Sequence, residues 1–279
     1  MKNSIKILSA VLAVMLILCS CSYSGSAYNY DSDYDNDTAN DFYESESSEE
    51  TQVTRAAVDV QSEIEAIKNS GYYGLNGAEA SKVTFGAYEQ DGNTLNGPEP
   101  IEWYVISKEN NTAYLYSVYC LDCQPYNNDT YSSDSVSWSN CSLRNWLNND
   151  FYNAAFNDEE KQYLYRTAVA GDRSNDIDES TAAYVQLPNS VNISLILGVS
   201  NEKSIGEFTE YAKSKAGFNE NEGYWTADTA EEPGAGYGTI IDSNGKILGS
   251  SYYWRSSSPA NGVAMSESHG VRPMITIMY

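Results

Sequence analysis

The cysteines are the residues of this chain whose spacing most directly suggests chemistry. Cys120 and Cys123 have the C-x-x-C spacing of redox thiols and zinc ligands, and Cys141 follows them. A redox thiol needs a helix N-terminus or a nearby cation to lower its pKa, whereas residues 119–123 have the pattern of strand and loop. A zinc site would need more ligands, and the chain has a single histidine. We therefore predict buried structural cysteines and no metal site; a Cys123–Cys141 disulfide is the alternative.

Neither the histidine nor the carboxylates form a catalytic pattern. His269 lies between Ser268 and Gly270, which is a turn signal, so we expect its side chain to be exposed and to lack the partner of a general base. Glycoside hydrolysis needs two carboxylates at a defined separation across a sugar, and abundant acids alone do not define such a pair. We predict no enzyme activity and no cofactor; an enzyme is the alternative.

Aromatic residues late in the chain indicate a binding surface instead. The chain contains 24 tyrosines, and tyrosine and tryptophan supply flat, amphipathic contact area at low entropic cost. We predict that the clustered residues of the late loops and strands bind a glycan or a surface protein. Packing of these side chains in the core is the alternative. The cluster consists of Tyr237, Tyr252, Tyr253, Trp254 and Arg255.

The charge of the chain excludes one class of partner. Lysine and arginine number 16 against 39 acidic residues, which gives a formal net charge of −23 and a pI of about 4.2. Such a chain repels phosphate backbones, and no basic stripe offsets the repulsion. We predict that nucleic acid is not a partner.

Residues 1–21 have the pattern of a lipoprotein signal peptide. Lys2 and Lys6 precede an apolar run over residues 7–18, which is too short to span a bilayer permanently. The run ends in Leu-Cys-Ser-Cys, which resembles a bacterial lipobox. This pattern predicts Cys21 as the lipid attachment site and places the protein on the extracytoplasmic face of the cell membrane. A plain secretory signal is the alternative.

Residues 22–57 have the composition of an acidic tether. Residues 22–54 carry nine acids and no lysine or arginine, and so little apolar surface cannot offset the entropy lost on ordering. Five of the acids, from Asp33 to Glu44, match the spacing of a calcium loop. Thr38, however, stands where such a loop needs glycine, and no helices flank it. We predict a disordered linker and no calcium site.

Residues 58–279 have the patterns of a single α+β domain. The chain order of strands, then helices, then strands predicts antiparallel pairing rather than a doubly wound sheet. Asn244-Gly245 predicts a two-residue hairpin turn. Predicted helices span residues 59–69, 141–148, 158–165 and 202–215. Predicted strands span residues 82–90, 101–107, 112–121, 237–243, 246–251, 252–255 and 270–278.

Two arginines are predicted to be structural. In the helix over 141–148, Leu143 and Leu147 have the spacing of a buried face, and we expect Arg144 to pair with a carboxylate such as Asp122. Arg272 directly precedes a proline, so its backbone is held extended. We expect an ion pair there rather than a ligand site.

Six spaced motifs occur in order and together resemble a known family. It is an uncharacterised domain family of Gram-positive bacteria, often carried by lipoproteins, and the resemblance covers residues 80–279. The motifs are Phe85-Gly86-x-Tyr88, Pro100-Ile101-Glu102-Trp103, Leu121-Asp122-x-x-Pro125-Tyr126-Asn127, Trp138-x-x-Cys141-x-Leu143-Arg144-x-Trp146-Leu147-Asn148, Phe151-Tyr152-x-x-Ala155-Phe156 and Gly270-Val271-Arg272-Pro273.

The resemblance implies a fold and limits the activity. The family looks related to the C-type-lectin-like fold shared by sulfatase-modifying enzymes and surface adhesins, so a lectin-like domain is expected. Sulfatase-modifying relatives use cysteines in their C-terminal part, and this chain has none after Cys141. The resemblance therefore implies a lipid-anchored protein with a non-enzymatic ligand-binding domain. An enzyme on the same fold and a structural envelope module without a small ligand are the alternatives.

Overall fold

The computed structural model describes residues 55, 57–72, 81–128, 136–168, 179–190, 192–193, 204–219, 223–229, 236–249 and 263–279. The predicted signal peptide with Cys21 and most of the predicted linker lie outside these residues. So do the predicted strand over 252–255 and the predicted ligand residues Tyr252, Tyr253, Trp254 and Arg255. Among the described residues, no helix is both long enough and apolar enough to cross a membrane.

Two sheets, with strands numbered in chain order, form the framework and confirm an α+β fold with mostly antiparallel pairing. The first contains, in spatial order, β1 (Lys82–Tyr88), β2 (Glu99–Glu109), β3 (Thr112–Ser117), β13 (Met274–Met278) and β6 (Val185–Gln186). The second contains β10 (Ile247–Leu248), β9 (Tyr237–Ile241), β8 (Tyr224–Thr229), β12 (Ser268–Val271) and β5 (Asp122–Pro125), and β11 (Val263–Ala264) also pairs with β9. A short parallel pair joins β4 (Tyr119–Cys120) to β7 (Glu207–Phe208).

The predicted strand over 270–278 is interrupted at Arg272-Pro273. Because proline has no N–H to donate to a ladder, the chain leaves the second sheet there and enters the first. The residues before the break form β12, and those after it form β13. This crossing joins the two sheets covalently.

Alternation along the strands builds the core. Val83, Phe85 and Trp103 point to one face of the first sheet and are buried in the main core, where Trp103 Nε1 donates to the Phe85 carbonyl oxygen at 2.7 Å. Residues of opposite parity, such as Tyr116 on β3 and Tyr224 on β8, form a second, smaller buried cluster. One face of the first sheet therefore packs in the main core and the other contributes to the smaller cluster. On that second face, Lys82 and Thr84 of β1 remain exposed.

The first predicted helix is confirmed as α1 (Val60–Asn69). Asp59 begins it, and Asp59 Oδ1 accepts the Ser62 N–H at 3.2 Å, which satisfies one of the otherwise unpaired amides of the first turn. Ile64 and Ile67 are buried in the main core, which places α1 against β1.

The helix predicted over 141–148 is longer than expected. It runs through α2 (Ser142–Trp146), a π-helical turn (Leu147–Phe151) and α3 (Tyr152–Ala155). Phe151 and Ala155 are buried, so the apolar face continues past residue 148. Cys141 begins α2, with its Sγ 3.4 Å from the Arg144 amide nitrogen.

Two other helix predictions were wrong over most of their length. Residues 158–165 contain only a 3₁₀ turn (Glu160–Gln162), because Leu164 forms a bridge with Ile277 of β13. Residues 204–208 are not helical, because Glu207–Phe208 pair with β4; the helix is confined to α4 (Glu210–Ser214). In both places strand pairing overrides local helical preference.

The predicted hairpin near Asn244 is confirmed, but its turn is different. The backbones of Asp242 and Lys246 are hydrogen bonded, which leaves a three-residue loop rather than two residues. Gly245 has φ +74°, a conformation that suits glycine in such loops. The strands of this hairpin, β9 and β10, are shorter than predicted.

Candidate functional site

A groove runs between the C-terminal half of α1 and the edge strand β1. Its volume is about 490 Å³ and its polar lining comes from Asn69 and Ser70 at the end of α1 and from Lys82, Thr84 and Glu102 on the sheet. This recess brings an ammonium, a carboxylate, hydroxyls and an amide onto one accessible surface. We define these residues as the β1 groove.

The pairing of β1 with β2 positions the groove residues. Lys82 lies opposite Tyr104, and Thr84 lies opposite Glu102. Since alternate residues of a strand point to the same face, these four side chains share the outer face. Tyr119 reaches the same place because the amide of Val118 donates to the Glu102 carbonyl oxygen at 3.0 Å.

Lys82 is the electrostatic centre of the groove. Its Nζ is 3.4 Å from Glu102 Oε2, 5.7 Å from the ring centroid of Tyr104 and 5.9 Å from that of Tyr119. Partial burial disfavours the charged amine, but Glu102 and the two tyrosines outweigh that effect and raise the pKa of Lys82. The side chain is therefore a cation at neutral pH and acts as a hydrogen-bond donor rather than a base.

This arrangement is suited to binding. Tyr104 and Tyr119 are half-buried, so part of each ring faces solvent, and the side chains of Lys82 and Glu102 beside them are partly exposed. Half-exposed aromatic rings offer an apolar face, and charged side chains form the stronger hydrogen bonds. The groove, together with Tyr104 and Tyr119 beside its Lys82, can therefore hold a ligand that combines apolar faces with many hydroxyl groups.

The three cysteines of the described residues are buried. They are Cys120, Cys123 and Cys141, and Cys123 and Cys141 are not joined by a disulfide in this structure. Cys141 Sγ is instead directed at the start of α2, while Cys123 lies on β5. Burial raises the pKa of Cys120 and of Cys141 to about 12, so both are protonated at neutral pH.

The expectation that His269 is exposed was wrong. His269 lies on β12 with 2% of its surface exposed, and its ring meets the Trp225 ring edge to face at 4.6 Å between centroids. The turn signal misled because Gly270 is a strand residue. An added Cβ at Gly270 would lie 2.6 Å from the Phe208 ring, so glycine is needed there for close packing.

Of the predicted ligand cluster, the structure describes Tyr237 alone. It is 45% exposed at the start of β9 and pairs across the ladder with Ala264. Tyr237 belongs to the second sheet, whereas the β1 groove lies on the first, so the two are separate surfaces. The sequence does contain a signal for the groove: polar Lys82 and Thr84 alternate with apolar Val83 and Phe85. Only the strand register shows which residues stand beside them.

The expected pairing of Arg144 with Asp122 was wrong. The Arg144 guanidinium donates to the carbonyl oxygens of Ser139, Ser180 and Ala182 at 2.9–3.3 Å. The buried Asp122 instead accepts the Tyr88 hydroxyl at 2.7 Å. Arg144 therefore fastens the chain near β6 to α2, which is a structural task.

Three carboxylates cluster beside the β1–β2 loop. Oxygens of Glu89, Asp91 and Glu99 lie within 4.8 Å of one another. Glu99 Oε2 accepts the Gln90 amide at 2.7 Å, and Glu89 Oε1 accepts the Gly92 amide at 2.8 Å. These bonds order the loop, and we assign no ligand to the cluster.

The fold and the groove define an α+β domain with an open polar and aromatic surface. The chain belongs to the family called Domain of unknown function (DUF6273), whose model matches residues 110–279. The groove residues of β1 and β2 precede the matched region, although these strands complete the same sheet. No curated protein and no solved structure matches the chain.

Proposed function

We propose that the protein is a lipid-anchored extracytoplasmic lipoprotein whose domain binds glycans, without catalysis, through the β1 groove. The finer fold relationship, to C-type-lectin-like domains, is part of the same proposal. The observation that carries it is the pair of half-exposed tyrosines, Tyr104 and Tyr119, that flank Lys82 beside Glu102.

A sugar ring complements this surface. Its C–H face can pack on an aromatic ring, and its hydroxyls can accept from Lys82 Nζ and donate to Glu102. Lys82 and Glu102 are 45% and 41% exposed, so sugar hydroxyls can reach both side chains, and hydrogen bonds to those hydroxyls offset the loss of bound water. A neutral glycan also avoids the repulsion that this acidic chain would exert on a polyanion.

Features expected of an enzyme are weak among the described residues. Cys120 and Cys141 are protonated, and the ionisable pair of the groove consists of a cationic lysine and its carboxylate partner. Lys82, whose pKa is raised, is not poised to exchange a proton near neutral pH. A protein ligand and a structural envelope role are the competing proposals.

Alanine at Tyr104 tests the glycan proposal. Loss of one stacking face is expected to weaken glycan affinity about tenfold to a hundredfold, which corresponds to about 1.4–2.8 kcal/mol. The measurement is binding of the Tyr104→Ala chain to a glycan array of soluble and cell-wall sugars, followed by calorimetry on the best ligand.

Tyr237→Ala is the matched control, since it removes an exposed tyrosine from the second sheet. Weaker glycan binding by Tyr104→Ala, together with an unchanged affinity of Tyr237→Ala, would assign binding to the β1 groove. The reverse result would assign the site to the late aromatic cluster. Flat signals across the array would argue for a protein ligand or for a structural role.

The lipid anchor has a separate test. Cys21→Ala is expected to leave the precursor without acylation, because the variant has no cysteine directly after Ser20 to carry the lipid. The protein is then expected to leave the membrane fraction. Radiolabelled fatty acid incorporation and membrane fractionation measure this. Cys19→Ala is the control and should retain the anchor; loss of acylation in that variant alone would assign the lipid to Cys19.

A further inference from the structure

A buried charge cluster holds α1 on the domain. Arg55 Nη1 lies 2.7 and 2.8 Å from the two carboxylate oxygens of Glu160. Glu63, a buried residue of α1, interacts electrostatically with both members of this pair. The three residues come from the approach to α1, from α1 itself and from the 3₁₀ turn, so the cluster joins three segments.

The cluster contains one positive charge for two carboxyl groups. The side chain of Glu160 is 0% exposed and that of Arg55 is 17% exposed, while Glu63 is 9% exposed. Within the described residues, Glu63 Oε2 and Arg55 Nε and Nη2 have no hydrogen-bond partner. Two buried carboxylates beside a single guanidinium repel each other, and a proton on one of them removes that repulsion.

We propose that Arg55, Glu63 and Glu160 form a pH-dependent clasp, which holds α1 and the end of the predicted linker on the domain at acidic pH and loosens as the pH rises. Glu63 is the member that takes up the proton, because Glu160 already has both oxygens beside Arg55. Glu160 Oε2 also accepts the Asn157 amide at 2.8 Å.

The direction follows from proton linkage. Burial and, next, the charge of Glu160 raise the pKa of Glu63 from 4.5 to about 7, against the opposing effects of Arg55 and Thr84. The docked state therefore binds more protons than the undocked state between these two values. The contribution of Glu63 to docking is therefore fully present below about pH 4.5 and is lost as the pH rises through about 7.

The charged and polar groups around Glu63 are consistent with Glu63 as the residue that takes up the proton. From the 3₁₀ turn comes Glu160, from the N-terminal approach Arg55, and from β1 the uncharged Thr84. On α1 itself, Glu65 and Lys68 are exposed and pair with each other at 3.9 Å. Tyr163 lies near the helix start, where its hydroxyl accepts from Gln61.

Amide hydrogen exchange of residues 60–69 in the full-length chain tests the clasp. After correction for intrinsic exchange, the opening constant of α1 is expected to rise on the order of fiftyfold between about pH 5 and about pH 8. Glu63→Gln, an uncharged match for the protonated side chain, is expected to keep its opening constant within about threefold over the same range.

Glu65→Gln is the matched control on the exposed face of the same helix, and it should retain the pH dependence of the native chain. The clasp is refuted if α1 opening in the native chain is independent of pH, or if Glu65→Gln abolishes the dependence as well. Carbon-detected NMR titration of the native chain gives a readout that needs no variant. The Glu63 carboxyl should titrate near pH 7, and titration at its ordinary value would overturn the proposal.

Discussion

Replacement of Arg272 by alanine is expected to lower the free energy of unfolding by about 3–5 kcal/mol. The substitution creates a cavity and leaves the buried Ser117 carbonyl oxygen without the hydrogen bond that Arg272 donates. Arg272 is 1% exposed, and its Nε donates to the Ser117 carbonyl oxygen at 2.8 Å. Its guanidinium lies 4.4 Å from the Tyr116 ring centroid and 5.4 Å from that of Tyr224. The side chain thus fills the second buried cluster where the chain crosses between the sheets.

Urea unfolding followed by tryptophan fluorescence measures the effect. Arg166→Ala is the matched control, because Arg166 is exposed and donates to the Ala182 carbonyl oxygen at 2.8 Å. Its loss should cost no more than about 1 kcal/mol. Equal losses for the two variants would contradict a structural role specific to Arg272.

Replacement of Gly223 by alanine is expected to cost about 2–5 kcal/mol. Gly223 has φ +78°, where an L-residue is strained by about 1–2 kcal/mol. Its new Cβ would also overlap the Ile241 carbonyl oxygen and press on the backbone of Asp242, so β8 and β9 would have to separate. Such overpacking adds about 1–3 kcal/mol. The Gly223 carbonyl oxygen also accepts the Gly270 amide at 3.0 Å, so the neighbouring strand β12 would be disturbed.

Gly92→Ala separates the two causes. Gly92 has nearly the same backbone conformation, φ +80°, but an added Cβ there meets nothing within 4 Å. Its cost should stay near 1–2 kcal/mol, the strain alone. Thermal unfolding of both variants measures the difference. A Gly223→Ala cost no larger than that of Gly92→Ala would show that β8 and β9 can move apart without loss of stability.

Local patterns predicted those elements whose cause is local. α1 was predicted in full because Asp59 caps it and Ile64 and Ile67 recur at helical spacing. The first hairpin was predicted because β2 and β3 alternate around a short polar turn at Asn110. In these places the residues that decide the structure are neighbours in sequence.

Prediction failed where a distant partner decides the structure. Leu164 forms a bridge with Ile277, and Phe208 pairs with Cys120, so neither segment becomes the helix that its own residues favour. His269 is buried because Trp225 lies beneath it, not because of its own neighbours. These contacts join residues far apart in the chain, which single-sequence patterns do not reveal.

The sequence by itself determined the α+β class with mostly antiparallel pairing, the acidic charge and the motifs of the family, because alternation, capping residues, turns and composition are local properties. Only the tertiary structure decided where function can lie. The β1 groove depends on the register that sets Lys82 beside Glu102, and the clasp depends on the docking that brings Arg55 and Glu63 to Glu160. Both sites arise from packing between separate segments, and the energy of that packing depends on contacts that the sequence of a single segment does not reveal.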